Sequence, residues 1–237
     1  PLFGPLKNKN RLAYLFLILC FGFLLSAHFS SGFNKENAKP TSLVYILDAD
    51  KNTAQWATYD HVLSSWTSQY VEANKAEPKN PSYDILSSKY GTGFTFMSEA
   101  PVKNIAPPKI ETTLDTIIGD HRKLEICLTP QRSTNRLEIF TNDVEITKAT
   151  INRIELSEYY LKNRKNSKLV THYVSNNDYT ELQITIPKES ALELTLYEAS
   201  NDLLNNPLFT VPPRPENNIP MPFVLNDAIM VSKKIKF

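Results

Sequence analysis

Little in this chain points to chemistry. Its 237 residues include only two cysteines, four histidines, two tryptophans and six glycines. Two cysteines cannot form a disulfide framework, and these two are poor partners: Cys20 lies in an apolar run and Cys127 in a predicted strand. Cys127 reads as a small buried hydrophobe. A lipid-modified Cys20 is disfavoured because Leu19 stands where such sites need a small residue. Neither GxSxG nor HExxH occurs, which removes the usual serine-nucleophile and zinc-helix signatures. Gly91-Thr92-Gly93 lacks the lysine and third glycine of a phosphate loop and reads as a turn. Charge of one sign is also missing. The 26 Lys and Arg balance 25 Asp and Glu for a net charge of +1, so nucleic acid is not an expected partner. Lys233, Lys234 and Lys236 read as a strand end. No catalytic, cofactor-binding or metal-binding residue is assigned from this sequence.

What the chain does have is one long uncharged run, Leu12–Phe29. About 18 residues reach the lower limit for a helix crossing a hydrocarbon core of ~30 Å. Lys7, Lys9 and Arg11 lie before it and Asn34, Lys35 and Glu36 after it. The positive-inside bias therefore predicts a cytoplasmic edge over residues 1–11 and an extracytoplasmic (periplasmic or lumenal) remainder, with the lipid bilayer as partner of Leu12–Phe29. The rival reading of the same run is a cleaved secretory signal ending near Ser26-Ala27; the apolar character that continues to Phe29 and Phe33 favours a retained helix. The chain begins with Pro1, which leads us to expect a fragment of a longer protein.

Residues 30–41 read as a linker and 42–237 as the extracytoplasmic domain. Within it, 42–108 forms a hairpin, helix and loop entry. Leu43–Leu47 and Ala54–Thr58 read as a hairpin around the Asp48-Ala49-Asp50-Lys51-Asn52 turn. Asp60 suits a helix N-cap, and Val62, Leu63, Trp66 and Tyr70 share one face, predicting an amphipathic helix over Asp60–Ala73. Glu77–Tyr90 and Ala100–Pro108 read as loops, with a short strand at Gly93–Met97. From Lys109 onward the hydrophobic period is 2. Leu124, Ile126 and Leu128 alternate with Lys123, Glu125 and Cys127; Leu182, Ile184 and Ile186 and then Leu192, Leu194 and Leu196 repeat the pattern. Further strands are predicted at Asn135–Phe140, Val144–Thr147, Ile151–Leu156 and Leu169–Val174. A proline-rich loop, Leu203–Pro222, should run extended over the surface before a final strand at Phe223–Val231. The predicted fold is mainly β: one N-terminal transmembrane helix, then an antiparallel, jelly-roll-like β-sandwich with one short amphipathic helix.

Three groups of residues resemble sites but have plainer readings. Asp48, Asp50 and Asn52 copy the start of a calcium loop, but Thr53 replaces its glycine and Tyr59 its closing glutamate, so an Asx-stabilised hairpin turn is the simpler reading. Trp56, Tyr59 and Trp66 could form a sugar platform but are expected to pack as core. His28 closes the apolar run, which suits an interfacial position. His61 and His172 are expected to be structural, and no histidine, His121 included, has a metal-type partner spacing.

The stretch TSLVYILDADKNTAQWATYD (Thr41–Asp60) resembles a segment that follows the last membrane helix in zinc peptidases of the vacuolar membrane protease and endoplasmic reticulum metallopeptidase type, which have multi-spanning bacterial relatives. Arg122–Phe140 and Lys168–Pro187 resemble the β-rich C-terminal domain of the same family. The likeness covers nearly the whole chain through structural motifs, and none of the family's zinc-binding motifs matches a position here. The resemblance implies the last membrane helix plus a non-catalytic, membrane-tethered accessory domain of an aminopeptidase-like zinc hydrolase. Zinc and proteolysis would belong to an upstream catalytic domain, which with the upstream membrane domains would be this domain's partner. The alternative is a free-standing anchored β-sandwich that binds carbohydrate, through Trp56, or protein partners in the cell envelope.

Overall fold

A computed structural model describes residues 9–72 and 93–237. The chain divides into two compact units, one of residues 1–39 with 215–219, the other of residues 40–214 with 220–237. The first contains helix α1, Lys9–Ser30. The second is a sandwich of two sheets.

The larger sheet has seven strands: β2 (Val44–Asp48), β3 (Thr53–Thr58), β4 (Phe96–Ala100), β7 (Arg136–Thr141), β10 (Lys168–Tyr173), β12 (Glu193–Ser200) and β14 (Ala228–Lys236), in the spatial order β10-β7-β12-β14-β2-β3-β4. The smaller has five: β5 (Lys109–Ile118), β6 (His121–Thr129), β8 (Lys148–Ile151), β9 (Ile154–Glu155) and β11 (Thr180–Pro187), in the order β5-β6-β11-β8-β9. The remaining strands, β1 (Lys39–Thr41) and β13 (Asn218–Pro220), form a two-stranded ladder. Short helix α2 spans Glu158–Lys162, capped by Ser157.

Period-2 alternation explains the sandwich. Leu182 lies opposite Ile126 and Ile184 opposite Leu124 in the smaller sheet. These side chains pack against Leu137, Ile139, Leu194 and Leu196 of the larger sheet in one core cluster. Each fully buried Leu or Ile there contributes about 1.5–3 kcal/mol. A second cluster gathers Tyr45, Trp56, Trp66, Val71, Ile229 and Val231. Within the seven- and five-stranded sheets all pairings but one are antiparallel; the exception joins β14 to β2 in parallel, Met230 opposite Ile46. Parallel pairing needs a long return connection, here nearly the length of the sandwich, which is why local pattern did not disclose it.

Several expectations are corrected. No α-helix forms over residues 60–72, only turns and a 3-10 turn at Thr67–Gln69; Ala73, the Glu77–Tyr90 loop and Gly91-Thr92 lie outside the described residues. Asp60 is no helix cap. It is 1% exposed, and its carboxylate accepts from Ser42 N at 2.7 Å and Thr67 Oγ1 at 3.0 Å. Ser64 N donates to Thr67 Oγ1 and Thr67 N to Ser64 Oγ, local bonds that compete with helix formation. Val144–Thr147 is not a strand, although Val144 and Ile146 are buried at alternate positions. Predicted strand Ile151–Leu156 is interrupted at Asn152 and Arg153, whose φ of 46° and 67° turn the β8–β9 hairpin. The short strand expected at Gly93–Met97 begins later, at Phe96, and the final strand begins at Ala228. The proline-rich loop is not merely superficial: Leu203 and Val211 are buried, and Phe209 packs on the Tyr45 and Trp56 rings at centroid distances of 4.7 and 5.9 Å.

Candidate functional site

Helix α1 is the feature for which water offers no account. Its 22 residues rise about 33 Å, close to the ~30 Å hydrocarbon core. Between Asn10 and Ser30 none of its most apolar window is buried. Its large apolar side chains are exposed on every side, from Leu19 at 46% to Phe29 at 82%. A helix apolar all round calls for an apolar surrounding, and an α-helix satisfies its backbone internally, as a bilayer interior requires. Among the described residues one helix, α1, is therefore long and apolar enough to cross a membrane.

Where the helix ends, polar groups take over. Ser31 Oγ donates to His28 O at 2.8 Å, satisfying one terminal carbonyl. Asn34 Oδ1 accepts from Glu36 N and Asn37 N at 2.8 and 2.9 Å, turning the chain. Lys39 N then donates to Asn217 O at 2.8 Å. Lys35 pairs with Glu216 at 3.1 Å, but both side chains are more than three-quarters exposed, so the pair adds little stability. The Lys39 ammonium sits 5.7 Å from the Phe33 ring centroid. The stretch expected as a plain linker is thus hydrogen-bonded to a segment some 180 residues later.

In the sandwich, the calcium-like string is spent on structure. Asp48 Oδ1 accepts from Asp50 N and Lys51 N at 3.1 and 3.0 Å, an Asx turn, while Asp50 pairs with Lys233 and accepts from Lys234 N. Trp56, Tyr59 and Trp66 are 8%, 3% and 1% exposed, and Tyr45, Tyr70 and Phe209 pack around Trp56, so no ring face is offered to a sugar there. Cys127, expected to be buried, is half-buried on the outer face, its Sγ 3.8 Å from Thr129 Oγ1. His61 is exposed in a turn; His121 opens β6. His172 Nδ1 lies 2.8 Å from Thr180 Oγ1, and burial holds its pKa below the ordinary imidazole value. Among the described residues no three His, Cys, Asp or Glu side chains converge. The zinc that the family resemblance implies therefore finds no donor set in them.

Cavities open on the surface among the described residues. One, of about 590 Å³, lies between the β7–β8 connection and α2, lined by Asp143, Glu145, Glu158, Leu161, Lys162 and Arg164. Arg164 closes its floor by donating to Thr141 Oγ1 (2.8 Å), Val144 O (3.3 Å) and Leu161 O (3.2 Å). Another, about 440 Å³, adjoins the β2–β3 turn and includes Glu99 and Val102. Neither combines a nucleophile with a base or an oxyanion donor set.

Sequence reasoning passed over two arginines. Arg132, on the β6–β7 connection, reaches Glu198 with Nε at 2.9 Å from Oε1, and its Nη2 donates to Glu198 O and Ile229 O. Glu198 is 1% exposed, and burial outweighs the pull of Arg132, holding its carboxyl above the ordinary range. Arg214 lies 4.5 Å from the Trp66 ring centroid, pairs with Asp227 and donates to Thr41 O, fastening the proline-rich loop. The one signal for Arg214 was a lone cation inside Pro212-Pro213-Arg214-Pro215. No protein-family model matches this chain, and neither does any curated protein or solved structure.

Proposed function

We propose that this chain is a membrane-tethered, non-catalytic C-terminal accessory domain of a zinc-dependent exopeptidase, with its N-terminal edge in the cytoplasm and its sandwich outside. The observation that carries the tether is α1, whose most apolar window is nowhere buried. The exopeptidase rests on the family resemblance. Its three stretches fall on the β2–β3 hairpin, on β6 with β7 and on β10 with β11, which are framework strands of the sandwich. The accessory role is the part of that reading that framework strands support: their side chains pack in the sandwich core.

Two assays test the reading. The purified chain in detergent with added zinc is expected to release no amino acid from aminopeptidase substrates, and turnover by this chain alone would overturn the accessory role. The longest product of the encoding gene, expressed in its membrane, is expected to show zinc-dependent aminopeptidase activity that falls when residues 42–237 are deleted. If that product has no such activity, the exopeptidase is wrong.

A further inference from the structure

The unit that holds the helix also holds Pro215–Ile219, a segment far along the chain that a simple anchor does not require. Its conformation is defined. Asn218 N donates to Pro215 O at 2.9 Å, closing a turn, and Lys39 N donates to Asn217 O. Asn218 is buried, whereas its neighbour Ile219 turns outward and is 45% exposed. On the helix side of the same unit Phe33 is 57% exposed, three residues beyond the helix end.

If α1 spans the bilayer, Phe29 to Phe33 lie at the level of the headgroups. Residues 31–39 cannot carry the chain far from that level. Nine extended residues would reach about 30 Å, but the Asn34 turn folds the path back on itself. Ile219 is tied to the end of that path. The side chains gathered there are two exposed apolar ones, Phe33 and Ile219, beside two long ammonium chains, Lys35 and Lys39, with Glu216. Apolar bodies with cationic tips suit the headgroup zone, where the apolar part sinks and the ammonium group stays wet.

We infer that Pro215–Ile219 is a second membrane contact, a foot in which Ile219 and Phe33 enter the headgroup region of the bilayer that α1 crosses. The occupant we assign to these side chains is lipid, because Phe33 follows the apolar helix by three residues and Lys39, over the Phe33 ring, is hydrogen-bonded to Asn217 two residues before Ile219. The inference rests on the spanning reading of α1.

The test uses the full chain in vesicles of phosphatidylcholine with phosphatidylglycerol, in a Cys20→Ser, Cys127→Ser background. An environment-sensitive fluorophore is placed singly through Ile18→Cys, Phe33→Cys or Ile219→Cys, and quenching is read with spin-labelled lipids and with aqueous iodide, free dye being the reference. The expected result is deep-label quenching at 18, shallow-label quenching at both 33 and 219, and at least a threefold drop in iodide quenching at 219. Quenching at 18 with 219 as open to iodide as free dye would overturn the foot while leaving the span intact. Shielding of 219 from iodide without any lipid quenching would also overturn it, because protein and not lipid would be the cover. Absence of lipid quenching at 18 would remove the span, and the foot with it.

Discussion

Arg132 illustrates how a single side chain binds together parts of the chain that share no local pattern. It sits on a connection, yet it engages the carboxylate and carbonyl of Glu198 on β12 and the carbonyl of Ile229 on β14. Replacing it by Met is expected to cost about 3–5 kcal/mol, since Glu198 keeps its burial and loses its cation. The direction with pH follows from linkage. Burial raises the folded-state pKa of Glu198, so its contribution to stability is fully present below the ordinary value of 4.5 and is lost as pH rises through the folded value. Removing Arg132 raises that value further. The Arg132→Met deficit is therefore expected to shrink between pH 7.5 and pH 5, measured by urea unfolding followed by near-ultraviolet circular dichroism in detergent. A deficit independent of pH would show that the cation does not act through Glu198. None of this was legible in the sequence, where Arg132 is one of 26 basic residues.

At the scale of elements, legibility followed period and range. Helix α1 and strands such as β6, β11 and β12 declare themselves because each repeats one local instruction: apolar throughout, or apolar at every second residue. The stretch from Asp60 carried an equally clear helical period and did not become an α-helix over residues 60–72. There the bonds from Ser42 and Thr67 to the Asp60 carboxylate outweighed periodicity. For α1 the apolar surface itself is decisive. A Leu19→Arg substitution places a charge at the helix centre, at a cost of about 2.5–3.5 kcal/mol for insertion. The wild-type chain is expected to resist alkaline carbonate extraction and to place a reporter fused after Phe237 outside the cytoplasm; the variant is expected to lose both properties. Equal membrane retention of the two chains would count against a spanning helix.

The whole molecule depends on its last strand. In sequence β14 is an end, but in the sheet it lies inside, antiparallel to β12 and parallel to β2. Its removal would separate the β2-β3-β4 side from the β10-β7-β12 side and take away Ile229, Met230 and Val231, which are all buried in the core. A chain ending at Asp227 is expected to lose its cooperative unfolding transition and to be cut by limited proteolysis at least tenfold faster than the full chain. Retention of a sharp transition would mean that the two halves fold without β14.

What the sequence determined by itself was class: a helix with an uncharged run, Leu12–Phe29, long enough for a membrane, and alternating strands that bury one face. Those properties are local, because the side-chain direction of a helix or strand residue is set by its own backbone. Tertiary structure alone decided which strands meet, and in the larger sheet it made the meeting of β14 with β2 parallel. It also turned Asp60 from a helix cap into a buried acceptor, laid the proline-rich loop over Trp66 and Tyr45, and brought Asn217 to Lys39. Each of these joins residues far apart in the chain, where complementary shape and unsatisfied hydrogen-bonding groups choose the partner and no nearby residue records the choice.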